Sequence, residues 1–269
     1  MRKLLLTALC VVPLFVGAQK KEDSTHVFTL GKVVVTNPKP ISSVVGVSRL
    51  EHFARMDVSH ALDLLPGVHV TAVGPRNESM VYVRGFDLRQ TPLLLDGIPV
   101  YVPYDGYVDL ARFTTFDLAE VNVSKGYTSL LYGPNAMGGA INLISRKPIK
   151  PFEVNGATGW LSGGYRSDLH VGSRLAKWYF QAGISRLNRD SFPLSKSFTP
   201  SKNEEGGWRN NSYSRDDKVD VKVGYTPTRN SEYAIGYIYQ HGTKGTPVYT
   251  GTDTLNSQFK SPRFWKWPY

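Results

Sequence analysis

The spacing of apolar residues changes once along this chain. From about residue 41 to residue 150 the apolar runs are short, and glycine, proline or asparagine closes each of them. The runs 81–86, 93–100, 119–126 and 130–145 all have this form. They read as short strands ended by tight turns. Asp57 stands before Val58, Ala61, Leu62 and Leu65, whose spacing gives a helix one apolar face over 58–65 with Asp57 as its N-cap. A first strand is expected over 44–49 and one or two helical turns over 50–56. Strands are expected over 68–73, 80–83 and 91–95, and Asp96-Gly97 predicts a hairpin turn. Further strands are expected over 121–124 and 140–145.

Beyond residue 151 the period becomes 2. Leu169, Val171, Ser173 and Leu175 alternate with Asp168, His170, Gly172 and Arg174. Trp178, Phe180, Ala182 and Ile184 alternate with Tyr179, Gln181, Gly183 and Ser185. Val219, Val221, Val223 and Tyr225 alternate with Lys218, Asp220, Lys222 and Gly224, and Tyr233, Ile235, Tyr237 and Tyr239 continue the pattern. These are strands with one apolar and one mostly polar face. Their connections alternate between short (176–177, 226–230) and long (191–215, 242–261). Short turns on one side and long loops on the other predict a membrane barrel rather than a secreted sandwich. Trp160, Tyr165, Trp178, Tyr225, Phe264, Trp265 and Trp267 stand near strand ends, where interfacial aromatic belts form. Five whole strands, the first over 153–165, and a sixth from about residue 262 are expected. Small barrels need at least about 8 strands. The expectation is therefore an incomplete barrel and the front part of a longer protein.

The first 18 residues have the form of a secretory signal: Arg2 and Lys3, an apolar stretch, then Val16-Gly17-Ala18. Cys10 lies inside it, so the mature chain has no cysteine and no disulfide framework. The formal charge is +10, and loss of Arg2 and Lys3 leaves +8. The basic residues are scattered and the chain reads as exported, which argues against a nucleic-acid partner. No catalytic residue, metal site or cofactor site is read from the sequence. It contains no G-x-S-x-G, H-E-x-x-H or C-x-x-C, and its six histidines are dispersed. Lys32, Val33, Val34, Val35 and Thr36 form an isolated β-prone run before Asn37-Pro38-Lys39-Pro40. That run reads equally as a strand donated to a partner's sheet or as an edge strand of the next domain. The tyrosine-rich stretch 101–109 reads either as a binding loop or as rings packed on a neighbouring wall.

Taken together these motifs resemble the TonB-dependent outer-membrane receptors. The resemblance rests on the order of Leu65-Pro66-Gly67-Val68, Val83-Arg84-Gly85-Phe86, Leu94-Leu95-Asp96-Gly97-Ile98-Pro99, Lys125-Gly126, Leu131-Tyr132-Gly133 and Gly138-Gly139-Ala140-Ile141-Asn142. It implies an α+β plug domain followed by the N-terminal antiparallel strands of an incomplete transmembrane β-barrel. The implied division is a signal peptide over 1–18, a periplasmic leader and linker over 19–40, the plug over 41–150 and barrel strands over 151–269. It implies a TonB box at Lys32, Val33, Val34, Val35 and Thr36, whose partner is the TonB energy transducer of the periplasm. Arg84, Glu120 and Lys125 would be the plug–barrel latch, with Arg84 meeting carboxylates of the barrel wall. Arg76, Asn77, Tyr104, Asp105 and Tyr107 would touch substrate from the plug's apical loops. The implied activity is energy-coupled uptake of a scarce nutrient across the outer membrane, with outer-membrane lipid around the barrel and no enzymatic chemistry. By prevalence in the family the ligand is a ferric siderophore; cobalamin, haem or another metal complex are alternatives, as is a remnant that only binds.

Overall fold

Glycine-closed apolar runs do become short strands here, and they assemble into a body that the longer strands wrap. The computed structural model describes residues 41–73, 78–100, 106–126, 132–133, 135–201, 203–228, 230–250 and 263–268. The inner body starts with β1 (Ile41–Gly46), α1 (Val47–His52) and α2 (Val58–Leu62). The hairpin β2 (Val68–Val73) and β3 (Glu78–Val83) follows, then β4 (Leu93–Leu95) and β5 (Ile98–Pro99). A 3₁₀ turn (Leu110–Arg112), β6 (Leu118–Lys125) and β7 (Gly139–Ser145) complete it. Five of these strands form one sheet in the order β1-β6-β7-β4-β5, in which β4 and β7 run parallel.

The first strand lies three residues earlier than its expected start at Val44. At Gly46 the chain passes straight into α1, because Leu50 turns inward to join the core. The α2 assignment holds: Val58, Ala61 and Leu62 are fully buried, and the Asp57 carboxylate accepts the His60 backbone N–H at 3.0 Å. They pack with Val81, Val83, Val121, Val123 and Ile141 into one core. Asp96 and Gly97 both have positive φ, 50° and 84°, as a type I′ turn requires. At Gly139 (φ 131°) a Cβ would fall 1.9 Å from the Ser124 carbonyl oxygen, so only glycine lets β7 meet β6 there.

The wall is a six-stranded meander, β8 (Glu153–Leu161), β9 (Gly164–Leu175), β10 (Trp178–Arg189), β11 (Ser214–Thr228), β12 (Ser231–Thr246) and β13 (Arg263–Pro268). Each strand pairs antiparallel with the next, and β8 and β13 form the sheet's edges. The expected first strand over 153–165 is interrupted: the chain turns at 162–163, and Trp160 comes to face Tyr165 across the hairpin. Gly163, at φ 75°, supplies the turn, so this connection is short although it lies at the end of the sheet that carries the long ones.

Burial along the wall inverts the soluble-protein rule. On β10 the outward Trp178, Phe180 and Ile184 are 50%, 50% and 57% exposed, while the inward Tyr179 and Ser185 are 0% and 6% exposed. Such a face suits a hydrocarbon environment. Trp178 and Tyr225 sit together on the outward face at one end, with ring centroids 4.7 Å apart, and Trp160 and Tyr165 at the other, 6.1 Å apart. Among the described residues no helix is long and apolar enough to cross a membrane.

Candidate functional site

The inner body and the wall meet through one small apolar cluster, Met56 and Phe116 with Leu187, and otherwise largely through charges. On β11 the period of 2 sends Asp216, Lys218, Asp220 and Lys222 inward, toward the body. Lys218 donates to Asp117 at 2.7 Å, and Lys222 donates to Asp96 at 2.8 Å. Lys244 of β12 reaches Asp109 at 3.0 Å, and Arg189 of β10 reaches Asp57 at 2.8 Å. Four aspartates of the body thus bind four cations of the wall.

Three of the aspartates also have partners within the body. Asp57 caps α2 and accepts from Ser59 Oγ at 2.6 Å and His60 Nδ1 at 2.8 Å. Asp96 accepts from Ser145 N at 2.9 Å and Ser145 Oγ at 2.7 Å. Asp109 accepts from the backbone of Ser79 at 2.9 Å and Ala111 at 3.1 Å. Asp117 differs. Its Oδ2 takes Lys218, its Oδ1 is buried with no hydrogen-bond partner, and both residues of this pair are less than a tenth exposed.

The titration behaviour follows from these contacts. Burial alone would raise the pKa of Asp57, but the His60 hydrogen bond and the Arg189 charge outweigh it and hold the carboxyl well below its usual range. The hydrogen bond to Asp57 raises the His60 pKa against the opposing effect of burial. Burial also opposes ionisation of Asp96, and hydrogen bonds from Lys222 and Ser145 reverse the sign and lower it. Burial lowers the Arg112 guanidinium to about 10, with Asp109, Asp216 and Glu78 opposing, so it is cationic at neutral pH.

Arg84 is exposed and sits in the turn after β3, not on a strand, with φ 53°. Its backbone N–H donates to Gly67 O at 2.9 Å. Lys125, at the end of β6, is buried, and its Nζ donates to Pro66 O at 2.5 Å. Burial and the nearby Arg84 charge lower the Lys125 pKa. Arg84 and Lys125 are therefore neighbours beside residues 66–67 and 126. Glu120 lies elsewhere on β6, opposite Gly46 and Ile144. Among the described residues no ion pair joins any of these three to the wall. Tyr107 donates to Asp87 Oδ2 at 3.0 Å, and the Arg89 guanidinium lies 5.1 Å from its ring centroid. Lys32, Val33, Val34, Val35, Thr36, Arg76, Asn77, Tyr104 and Asp105 lie outside the described residues.

The seam aspartates carried a signal in the sequence, but a local one. Asp57 reads as a cap, Asp96 as a turn residue, and Lys218 and Lys222 as the polar face of a strand. Their pairing spans 101 residues for Asp117 with Lys218 and 135 for Asp109 with Lys244, which no local pattern reports.

Residues 35–140 match the family model of the TonB-dependent receptor plug domain. The fold is shared with the ferripyoverdine receptor of the outer membrane of Pseudomonas aeruginosa bound to ferripyoverdine (TM-score 0.61, 23% identity, 81% of this chain and 28% of that one). It is shared with the ferric yersiniabactin uptake receptor of Yersinia pestis (TM-score 0.56, 18% identity, 78% of this chain and 32% of that one). It is also shared with the copper transporter OprC (TM-score 0.59, 17% identity, 77% of this chain and 32% of that one). The chain spans about a third or less of the length of these proteins.

Proposed function

We propose that this chain, whose residues 35–140 match the plug-domain model of the TonB-dependent receptors, belongs to that family and forms the gate and the first wall strands of an outer-membrane uptake receptor. The observation that carries this reading is the seam. A folded plug is held against a wall whose outward face is apolar, and beside a small apolar cluster of Met56 and Phe116 with Leu187 the contacts include ion pairs that water can replace. The proposed division keeps a signal peptide over 1–18, a leader over 19–40, the plug over 41–150 and barrel strands from 151. Lys32, Val33, Val34, Val35 and Thr36 are the proposed strand for the periplasmic TonB transducer, whose backbone pairing would deliver the pull. Arg84, Glu120 and Lys125 are proposed to steady the plug's own loops and any further wall surface that they meet. Arg76, Asn77, Tyr104, Asp105 and Tyr107 are proposed ligand contacts. The stems of their loops support this, since the Ser79 N–H donates to Asp109, and Asp109 pairs with Lys244 at the end of β12 that leads into a long connection.

The proposed cargo is a ferric siderophore, in keeping with the two siderophore receptors that share the fold. The copper transporter among the neighbours makes other metal complexes the second arm of the test. Cells expressing the intact gene are given radio-iron on a panel of siderophores and, separately, haem, cobalamin and copper. Uptake of one of them should depend on this gene and on the proton-motive force. Val34→Pro should abolish that uptake and leave binding at the cell surface intact. Energy-independent uptake, or no gene-dependent uptake of any cargo, would overturn the proposal.

A further inference from the structure

At one point of the seam the plug and the wall bind the same oxygen. Asp57 Oδ2 accepts from Arg189 Nη2 at 2.8 Å and from His60 Nδ1 at 2.8 Å. The other oxygen serves the plug alone: Oδ1 accepts from Ser59 Oγ at 2.6 Å and from the His60 backbone N–H at 3.0 Å. Arg189 stands on β10, and Asp57, Ser59 and His60 form the first turn of α2 with its cap. The bond that crosses the seam here therefore ends on an oxygen that a histidine of the plug also holds. A carboxylate only accepts, so the neutral His60 ring carries its proton on Nδ1 and takes a second one at Nε2. His60 is 55% exposed, so solvent can deliver that proton. Protonation turns the ring into a cation beside a second cation on one oxygen.

The charged groups around the ring come from every element packed near it. They are Asp57 and Asp63 of α2 with its caps, Arg55 just before it, Asp109 and Arg112 of the 3₁₀ turn with its cap, Arg189 of β10, Asp216 of β11 and Lys244 of β12. Asp109 is engaged by Lys244 at 3.0 Å, and Asp216 by Gln240 at 3.0 Å. Of the groups on the wall, Arg189 is the one whose charge acts on the ring, and it opposes protonation, as burial does. Coupling between two binding events is reciprocal. If Arg189 disfavours the proton, the proton weakens the hold of Arg189 by the same factor. When the plug leaves the wall, the Arg189 charge and part of the burial are removed. The Asp57 hydrogen bond, which favours the proton, lies wholly within the plug and stays with it.

We propose that separation of the plug from the wall takes up a proton at His60 Nε2, so that the Asp57–Arg189 tie is a clasp that acid weakens. The inference rests on the receptor reading only in taking that separation to be a working step. The docked His60 already titrates above its ordinary value of 6.5, and in the separated plug it titrates higher still. Docking is at full strength above both values, weakens as pH falls through the window between them, and stays weaker below it. The same proton strengthens the folding of the plug, because the unfolded chain offers His60 no Asp57 bond. Partly exposed charges interact by a factor of about three. The ring titration is followed by NMR in the full-length protein in detergent, with His60→Gln identifying the signal. Arg189→Gln should raise the His60 midpoint by about half a pH unit, which is that same factor. Arg189→Lys, which keeps the charge, should restore most of the wild-type midpoint. A midpoint unmoved or lowered in Arg189→Gln overturns the inference. If Arg189→Gln does not fold, native-state proteolysis of the plug decides, with rates taken relative to an unfolded peptide at the same pH. Wild-type plug should be cut about threefold faster at about pH 6.5 than at about pH 9, and His60→Gln should abolish the difference. Equal cutting at the two pH values, or a difference that persists in His60→Gln, also overturns it. Absence of energy-coupled uptake would sink the receptor reading and leave the midpoint shift standing; an unmoved midpoint in a protein that transports would sink this inference alone.

Discussion

Two interfaces hold the plug, and they follow different rules. Behind α2, Val58, Ala61, Leu62, Val81, Val83, Val121, Val123 and Ile141 are completely out of water. Toward the wall, four aspartates meet Arg189, Lys218, Lys222 and Lys244. Opening the first exposes apolar surface at roughly 25 cal/mol per Å², and nothing in water offsets it. Opening the second returns charges to solvent, which repays much of the lost attraction. Three of the aspartates also keep partners inside the plug when the wall lets go. The difference suits a body that must keep its own fold while its attachment to the wall is broken.

The Asp117–Lys218 pair is the place where that contrast is most easily broken, since it is buried and Asp117 Oδ1 has no other partner. Lys218→Met would leave a buried carboxylate uncompensated and should cost about 3–5 kcal/mol. The measurement is a denaturant titration of the full-length protein in detergent, together with protease access to the plug. Adding Asp117→Leu to Lys218→Met should restore most of the loss, because an apolar pair of similar volume is often neutral. A double variant as unstable as the single one would mean that packing, not the orphaned charge, sets the cost.

Leu62→Ala probes the other interface. Leu62 is fully buried in the plug core, and truncating it should cost about 2–5 kcal/mol through lost transfer energy and the cavity left behind. The loss should be the same at low and high salt, because no charge is involved. Arg189→Gln gives the opposite profile, a smaller loss that shrinks as salt rises, since its side chain is about a third exposed. Equal salt dependence in the two variants would erase the distinction between core and seam.

The periodic parts of this fold were legible in the chain. Period-2 alternation fixed which wall residues face inward, and Asp57 and Asp96-Gly97 marked a cap and a turn that the structure contains. The turn at 162–163 was missed because Leu161, Gly163 and Gly164 carry no hairpin signal as strong as Asn-Gly, so the apolar run appeared continuous through Trp160 and Tyr165. The seam was not legible at all as a set of pairs. A strand's pattern says that Lys218 faces inward but not which plug carboxylate it meets, because that depends on how the plug sits inside the sheet. For the same reason the resemblance directed attention to Arg84, Glu120 and Lys125, whereas four of the five plug–wall pairs among the described residues put the carboxylate on the plug and the cation on the wall, and the fifth, Lys147 with Glu232, is reversed.

The smallest expected effect separates the two partners of Asp57 by pH. The His60 pKa is raised in the folded protein by its hydrogen bond to Asp57, with Arg189 and Arg55 opposing. The folded state therefore holds the proton more tightly than the unfolded one. The resulting stability is complete below about pH 6.5, the unfolded value, and disappears as pH rises through the higher folded value. His60 is 55% exposed, so solvent screening limits the contribution to about 0.5 kcal/mol. Asp57 has the opposite sign: its pKa is lowered, so its contribution is present above about pH 4 and fails as acid reaches the folded value. Denaturation midpoints measured from pH 3 to pH 9 should thus show two slopes. His60→Gln should flatten the alkaline one and weaken the acid one, to which Arg189 and Ser59 still contribute. An alkaline slope that survives in His60→Gln would assign it to another group and leave Arg189 as the partner that matters to Asp57.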